Sequence, residues 1–305
     1  MENQRVLVTG GGGFIGANLA NKLAENNDVV ALDDGYLGTP ENVSEDVEYV
    51  EQSVLDDDLP TDVDVVFHLA ALSSYAMHED NPTHGARVNV EGFVNTVEQA
   101  RDDGCDTIVY ASTSSIYGSR TEPSPEDMDV TVNTGYEASK MARETYAEYF
   151  QNHYDLTLAG MRFFSVYQGY GGAEEHKGEY ANVIAQFADD LASGDAPKLY
   201  GNGEQTRDFT HVDDIVRGLV LAAEHELNDV YNLGTGEAYD FNTVVEMLND
   251  ELGTDIEPEY IENPIPEDVY VHDTCADFSK MHEATGWEPE TSFEEGIELV
   301  CAPYT

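Results

Sequence analysis

An apolar run near the amino terminus leads into TGGGGFIGANLA at residues 9–20, where Gly10, Gly13 and Gly16 recur every third position. Gly10 would permit a tight turn. Gly13 would let the backbone approach a pyrophosphate at a helix N-terminus, and Gly16 would let that helix pack close to a sheet. Phe14 and Ile15 open the helical pattern inside the same loop. Asp33 ends a second apolar run about 20 residues further on, where an acid accepts hydrogen bonds from adenosine ribose hydroxyls. Glycines alone also fit a flexible terminal loop; strand, loop, helix and acid together point to a dinucleotide. A 2′-phosphate needs a nearby cation. No Lys or Arg stands between Lys22 and Arg87, and Asp33 and Asp34 would repel the phosphate, so the cofactor expected is NAD rather than NADP.

A second pattern, YEASK, puts Tyr136 and Lys140 four residues apart. On a helix they share one face. Tyrosine normally ionises near pH 10, too high for a base. A neighbouring ammonium and a cationic nicotinamide ring would stabilise the phenolate and lower that value. Five lysines and 18 tyrosines in 305 residues supply about 0.3 such pairs by chance, so position must decide. The pair follows a strand-like run at 107–111 and opens a helix-length segment at 136–154.

The elements that would position these residues alternate regularly. Short Val-, Ile- and Leu-rich runs at 5–9, 28–32, 47–50, 64–68, 107–111 and 156–162 are bounded by Gly, Asp and Pro. Helix-length segments at 14–24, 82–103 and 136–154 lie between them. Such alternation predicts an α/β fold, a Rossmann-type doubly wound parallel sheet. After residue 169 the pattern loosens. Helices are expected at 182–192, 214–223, 242–252 and 292–301, the last opened by the capping pair Ser292 and Glu295, with a strand at 198–200. The division expected is an NAD-binding domain at 1–168 and a smaller mixed α/β C-terminal substrate lobe at 169–305. Segments such as 200–235 would return to the large domain.

Composition narrows the function. The chain carries 62 acidic and 13 basic residues, a net charge of −49, with an apolar fraction of 41%. That apolar content can build a core. The charge argues against nucleic acid and against anionic membranes as partners. No apolar stretch is long enough for a membrane span, and no signal segment precedes the first strand. Cys105, Cys275 and Cys301 form no CxxC pair or disulfide framework, which fits a cytoplasmic protein. No His/Cys cluster has metal-ligand spacing, so no metal is expected, and His176 reads as a solvated loop residue. Acids replace lysine throughout, a composition that resembles proteins of extreme halophiles.

Further segments make a resemblance specific. They are HLAAL at 68–72, NP at 81–82 with VNVEG at 88–92, VYASTSSIYG at 109–118, MRFFSVY at 161–167, YGNGEQTRDFTHVDDIV at 200–216 and TGWEP at 285–289. With the glycine loop and YEASK, their order resembles the extended short-chain dehydrogenase/reductase superfamily, and within it the nucleotide-sugar epimerases typified by UDP-glucose 4-epimerase. The resemblance implies that Leu69, Ala70 and Ala71 lie along NAD, with Ser53 and Val54 near its adenine. It implies that Thr113 bonds the sugar 4-hydroxyl and relays its proton to Tyr136, and that Lys140 also holds the nicotinamide ribose. Ser114, Ser165, Asn182 and Arg207 would meet the substrate, Arg207 through its diphosphate. Asn89 would brace the sheet. A small Thr274 would leave room for an N-acetylhexosamine. The implied reaction is reversible oxidation at C4 of a nucleotide-diphosphate sugar. A homodimer through helices 82–103 and 135–154 is also implied.

The chain departs from that pattern at Ser53, at Ser165 where the family has Asn, and at Gln168 where it has Gly. It also lacks an arginine in ENPIPEDVYVHDT. The alternative activities are a 4,6-dehydratase or a decarboxylase of the same superfamily, or a silent NAD-binding relative. Ser114 and Ser115 stand where the dehydratases carry acids. Separately, self-repulsion at −49 is screened only when the Debye length falls to about 3 Å, near molar salt. The expected outcome is loss of the folded circular dichroism signal on dialysis from molar KCl into dilute buffer. An unchanged spectrum would refute it.

Overall fold

The computed structural model describes residues 1–170 and 172–305. The first half runs β1 (Arg5–Thr9), α1 (Phe14–Ala24), β2 (Asp28–Asp33), β3 (Glu48–Glu51), β4 (Val65–His68), α2 (Tyr75–Glu79) and α3 (Pro82–Ala86). A π-helical turn (Arg87–Glu91) follows, then α4 (Gly92–Asp103), β5 (Thr107–Ala111), α5 (Gly135–Tyr154) and β6 (Thr157–Phe163). Next come β7 (Val166–Tyr167), α6 (Val183–Ser193), β8 (Lys198–Tyr200), β9 (Thr206–Arg207), β10 (Thr210–His211) and α7 (Val212–Glu224). The chain ends with β11 (Val230–Leu233), β12 (Tyr239–Asp240), α8 (Phe241–Leu252), β13 (Glu259–Ile261), α9 (Ser279–Thr285) and α10 (Phe293–Cys301).

Seven strands form one parallel sheet in the order β11-β6-β5-β4-β1-β2-β3. Leu7 of β1 lies level with Val30 of β2 and Val66 of β4. Both faces are covered, which is why these strands read as unbroken apolar runs. Side chains alternate between faces. Val6 and Val8 join Leu19 of α1 and Leu219 of α7 in one core. Leu7 joins Phe93 of α4 and Phe150 of α5 in the other. A third core, built from α6, α8 and α10 around Phe187, Val244 and Ile297, belongs to the second half.

Six expected strands are present to within a residue at each end. The seventh, β11, was not expected from the sequence, and it pairs with β6 from the far side of α7. The expected helix 82–103 is broken into α3 and α4 by the π turn. Two short helices, α2 and α9, were also not expected. No described helix is long and apolar enough to cross a membrane.

Two capping devices matter for position. Thr134 and Glu137 form a capping box at the start of α5, which sets Tyr136 in its first turn. Ser292 and Glu295 form the expected box at α10. The last segment is tied back by Asp214, whose carboxylate accepts from the backbone N–H of Glu290 and Thr291 and pairs with Arg217. Trp287, fully buried, donates from its indole to the Asp214 carbonyl. Asp214→Ala leaves two backbone donors unpaired and is expected to cost about 2–4 kcal/mol, read as a lower urea midpoint in molar KCl.

Candidate active site

A cleft of about 710 Å³ opens at the carboxyl ends of β1 and β4. The glycine loop forms its floor. Gly10 has φ +69°, and a Cβ there would lie 2.8 Å from the Ala70 nitrogen. At Gly16 a Cβ would strike the Gly10 carbonyl oxygen at 2.0 Å. These two glycines are therefore required by backbone packing alone. Gly13 differs, since its nearest protein neighbour would be 3.3 Å from a Cβ. It is the N-cap of α1, with no side-chain cap and no acid in the first helical turn. The free N–H groups and the positive end of the helix dipole thus face the cleft.

Asp33 stands at the end of β2 with its carboxylate on the N–H groups of Gly12 and Gly35. Burial raises its pKa, and those two N–H groups oppose the rise. Asp34, Phe14, Ile15, Val54, Leu69, Ala70 and Ala71 line the cleft. Ser53 does not. Its hydroxyl accepts from the Leu55 N–H in a local turn, and Gln52 occupies the wall instead. His176 is not a solvated loop residue. It lines the cleft, and its Nδ1 meets the Asn42 amide. Beside it, Lys177 pairs with the buried Glu174 and lies 5.4 Å over the Phe14 ring. Nothing in the spacing of GGAEEHKGEY signals that this segment folds onto the glycine loop.

At the other end, Thr113, Tyr136 and Lys140 come together. Lys140 Nζ donates to the Ala111 carbonyl at 3.1 Å and lies 5.8 Å from the centre of the Tyr136 ring. Burial lowers the Lys140 pKa, and the charge of Arg143 lowers it further. Burial raises the Tyr136 phenol, while the Thr113 hydroxyl and Arg143 favour the phenolate. Lys140 Nζ is thus a cation beside the Tyr136 ring, and the charge of Arg143, further along α5, also favours the phenolate. Neither Arg143 nor His78 was singled out in the sequence. His78 packs edge-on against the Tyr136 ring at 5.8 Å. Asn89 ties this region together, with hydrogen bonds to both polar groups of the Leu72 backbone and to Ser139 Oγ.

Ser114, Ser165, Asn182, Arg207 and Thr274 all line the same cleft. The Asn182 side chain is committed to capping α6 and to the Gln168 carbonyl. Arg207 spends three N–H groups on the carbonyls of Thr206, Val271 and His272, and sits between the rings of Phe241 and Tyr270. It meets no carboxylate among the described residues, and the Tyr270 hydroxyl is a further partner of its guanidinium. Thr274 Oγ1 accepts from the Asp208 N–H.

Residues 6–234 match the NAD dependent epimerase/dehydratase family. The chain belongs to that family. It is 35% identical to the UDP-glucose 4-epimerase of Mycolicibacterium smegmatis over 96% of each chain. It is 29% identical to UDP-glucuronic acid decarboxylase 3 of Arabidopsis thaliana, over 98% of this chain and 88% of that one. The solved structure of the Thermotoga maritima UDP-glucose 4-epimerase with UDP-glucose superposes with a TM-score of 0.89 at 32% identity, covering 98% of this chain and 97% of that one.

The cofactor of the family is NAD, and this cleft has the parts that NAD needs. The glycine loop offers uncapped N–H groups to a pyrophosphate, and Asp33 offers a carboxylate to a ribose. The environment of Gly13 separates the cofactor from the fold. Gly13→Ala makes one tight contact, 3.3 Å from the Gly10 carbonyl oxygen, so its stability should fall by about 1 kcal/mol. Its methyl would project into the pyrophosphate position, and NAD affinity, read by fluorescence titration or calorimetry, should fall at least about tenfold.

Proposed function

We propose that this protein epimerises a nucleotide-diphosphate sugar at C4 through a transient 4-keto intermediate. The observation that supports this reading most is the grouping of Tyr136, Thr113 and Lys140 at one end of the cleft. The glycine loop, Asp33 and Arg207 line the same cleft. The family relationship and the epimerase relatives agree with it.

Bound NAD would supply the acceptor and donor of the electron pair at C4. The chain's own residues do the remaining work. The phenolate of Tyr136 takes the proton of the 4-hydroxyl as C4 is oxidised and returns it as C4 is reduced. Thr113, whose hydroxyl faces the phenol, carries the proton between them. Lys140, anchored on the Ala111 carbonyl, is placed to hold the nicotinamide ribose. Arg207 offers its positive charge to the diphosphate. There is no net redox change, so NAD stays bound through turnover.

The decarboxylase relatives favour a second reading, decarboxylation or dehydration of a UDP-sugar. Dehydration needs an acid beside Thr113 to expel a hydroxyl. Ser114 and Ser115 occupy that place, and serine is no acid at neutral pH. Epimerisation is therefore preferred. The substrate class proposed is UDP-glucose/UDP-galactose or an N-acetyl form, the latter because Thr274 is small. We also propose a homodimer through residues 82–103 and 135–154; Tyr146 and Tyr149 are exposed on α5. A salt-rich cytoplasm suits the charge.

The test is proton NMR of the protein in molar KCl with NAD and, separately, UDP-glucose, UDP-N-acetylglucosamine and UDP-glucuronate. A new anomeric signal of the C4 epimer is expected. A 4-keto-6-deoxy sugar or a pentose would replace this reading with dehydration or decarboxylation. Tyr136→Phe is expected to lower kcat by about 10²–10⁴ with NAD still bound. Arg207→Ala is expected to weaken sugar-nucleotide binding while NAD binding stays intact.

A further inference from the structure

Tyr136 is the second residue of α5. A long side chain on a helix lies back over the turn that precedes it. Tyr136 has no such turn in its own helix, and the residue before it, Gly135, has no side chain. The wall against which its ring rests must therefore come partly from another element. Lys140, one turn on, places Nζ 5.8 Å from the ring centre. From α2 comes the imidazole of His78, with ring centres 5.8 Å apart and ring planes at 66°.

His78 is itself fixed from several directions. The short helix α2 is opened by Ser74, whose hydroxyl accepts from the Met77 N–H. The loop before it is held by Asn89 of the π turn, which bonds both polar groups of the Leu72 backbone. The same Asn89 amide lies 3.0 Å from His78 Nε2. Behind the ring stands Gly85 of α3, where a Cβ would come within 2.3 Å of Nδ1. His78 is 1% exposed and does not line the cleft, so it is placed to act on Tyr136 rather than on a bound molecule. Burial lowers its pKa, and it meets the phenol as a neutral ring. Three elements, α2, α3 and the π turn, thus converge on one imidazole.

We propose that His78 is a positioning residue, whose ring is the wall that holds the Tyr136 phenol toward Thr113 where the first turn of α5 cannot supply one. The proposal rests on Tyr136 being the base. The ring acts through its shape. Its nitrogen is not essential to Asn89, because the two N–H groups of that amide still have the Leu72 carbonyl and Ser139 Oγ. A planar apolar ring at position 78 should therefore serve, and a branched chain of similar size should not.

The test compares His78→Leu with His78→Phe, both loaded with NAD in molar KCl. Crystal structures are expected to show the Tyr136 ring displaced or spread over several rotamers in His78→Leu and in its native place in His78→Phe. With whichever of the three UDP-sugars above is turned over, His78→Leu should lower kcat about tenfold or more while KM and NAD affinity stay within about twofold, and His78→Phe should restore most of the rate. Gly85→Ala pushes the ring from behind. It should lower kcat in the native background and add little to His78→Leu, because the two changes act through one contact. If His78→Leu does not fold, His78→Gln, which keeps a polar group for Asn89 but no ring, takes its place. A Tyr136 ring left undisturbed in the ringless variant overturns the His78 proposal, whether or not a sugar is turned over. An equal loss of kcat in His78→Phe and His78→Leu also overturns it, since the ring would then not be what matters. Full kcat in Tyr136→Phe overturns the reading of Tyr136 as base, and the His78 proposal with it.

Discussion

The site depends on the reversal of winding between β1 and β4. Strands β1 to β3 are laid down in one direction across the sheet and β4 to β6 in the other. Right-handed crossovers then put their helices on opposite faces. At the point of reversal the carboxyl ends of β1 and β4 stand side by side with no connection over them. The loops that leave them meet at the cleft floor, where Gly10 presses against the backbone of Leu69 and Ala70. A side chain at Gly10 would force these backbones apart, and one at Gly16 would push α1 away from the Gly10 carbonyl. The first turns of α1 and α6, the helices opened by Gly13 and Asn182 at the cleft, carry no acid, as is also true of α8 away from it. By contrast, α5, α7 and α10 carry acids in that turn.

Inside the protein, charges are satisfied mainly by backbone. Asp208 accepts from the N–H groups of Thr235, Gly236 and Ala276, and so fixes irregular segments of chain around one buried carboxylate. Asp214 does the same for the segment after Trp287. Arg143 and Arg207 each bind three carbonyls. With 13 basic residues in the chain, most acids have no cation to pair with. Those at the surface face water and salt. The few inside replace the regular ladders that the second half lacks, because a carboxylate can accept several N–H groups at once.

Legibility in the sequence followed periodicity. Fully buried parallel strands and amphipathic helices announce themselves, so β1 to β6, α1 and α5 were readable nearly to the residue. β11 was not, because VYNL is four residues long and contains Asn232. That asparagine is buried only because Tyr117, Ser124 and Asp277 bond its side chain, and those partners lie far off in the chain. The π turn keeps the apolar spacing of a plain helix, so RVNVEG gives no sign of it. At the site, residue types were readable and their occupations were not. Asn182 reads as a ligand, and its cap on α6 and bond to the Gln168 carbonyl could not be read; nor could the turn that Ser53 closes. Arg143 was not singled out at all, because the three carbonyls that bind it come from elements that only the fold assembles.

The proposed reaction sets one more requirement, and the substrate end of the cleft bears on it. A 4-keto sugar must present both faces of C4 to the same point, so it has to turn while the rest of the substrate stays bound. A tight grip on the sugar hydroxyls would oppose that rotation, whereas a grip on the diphosphate would permit it. The side chains that the proposal gives to the sugar are short: Thr113, Ser114 and Thr274. None carries charge or reaches far into the cavity. Arg207 is the cation proposed for the diphosphate, and its guanidinium is pinned by three carbonyls and two rings. A rigid anchor at one end and a loosely fitted end at the other is the distribution that inversion by rotation needs. A dehydratase has the opposite need, because the acid that expels the leaving hydroxyl must find the sugar in a single orientation.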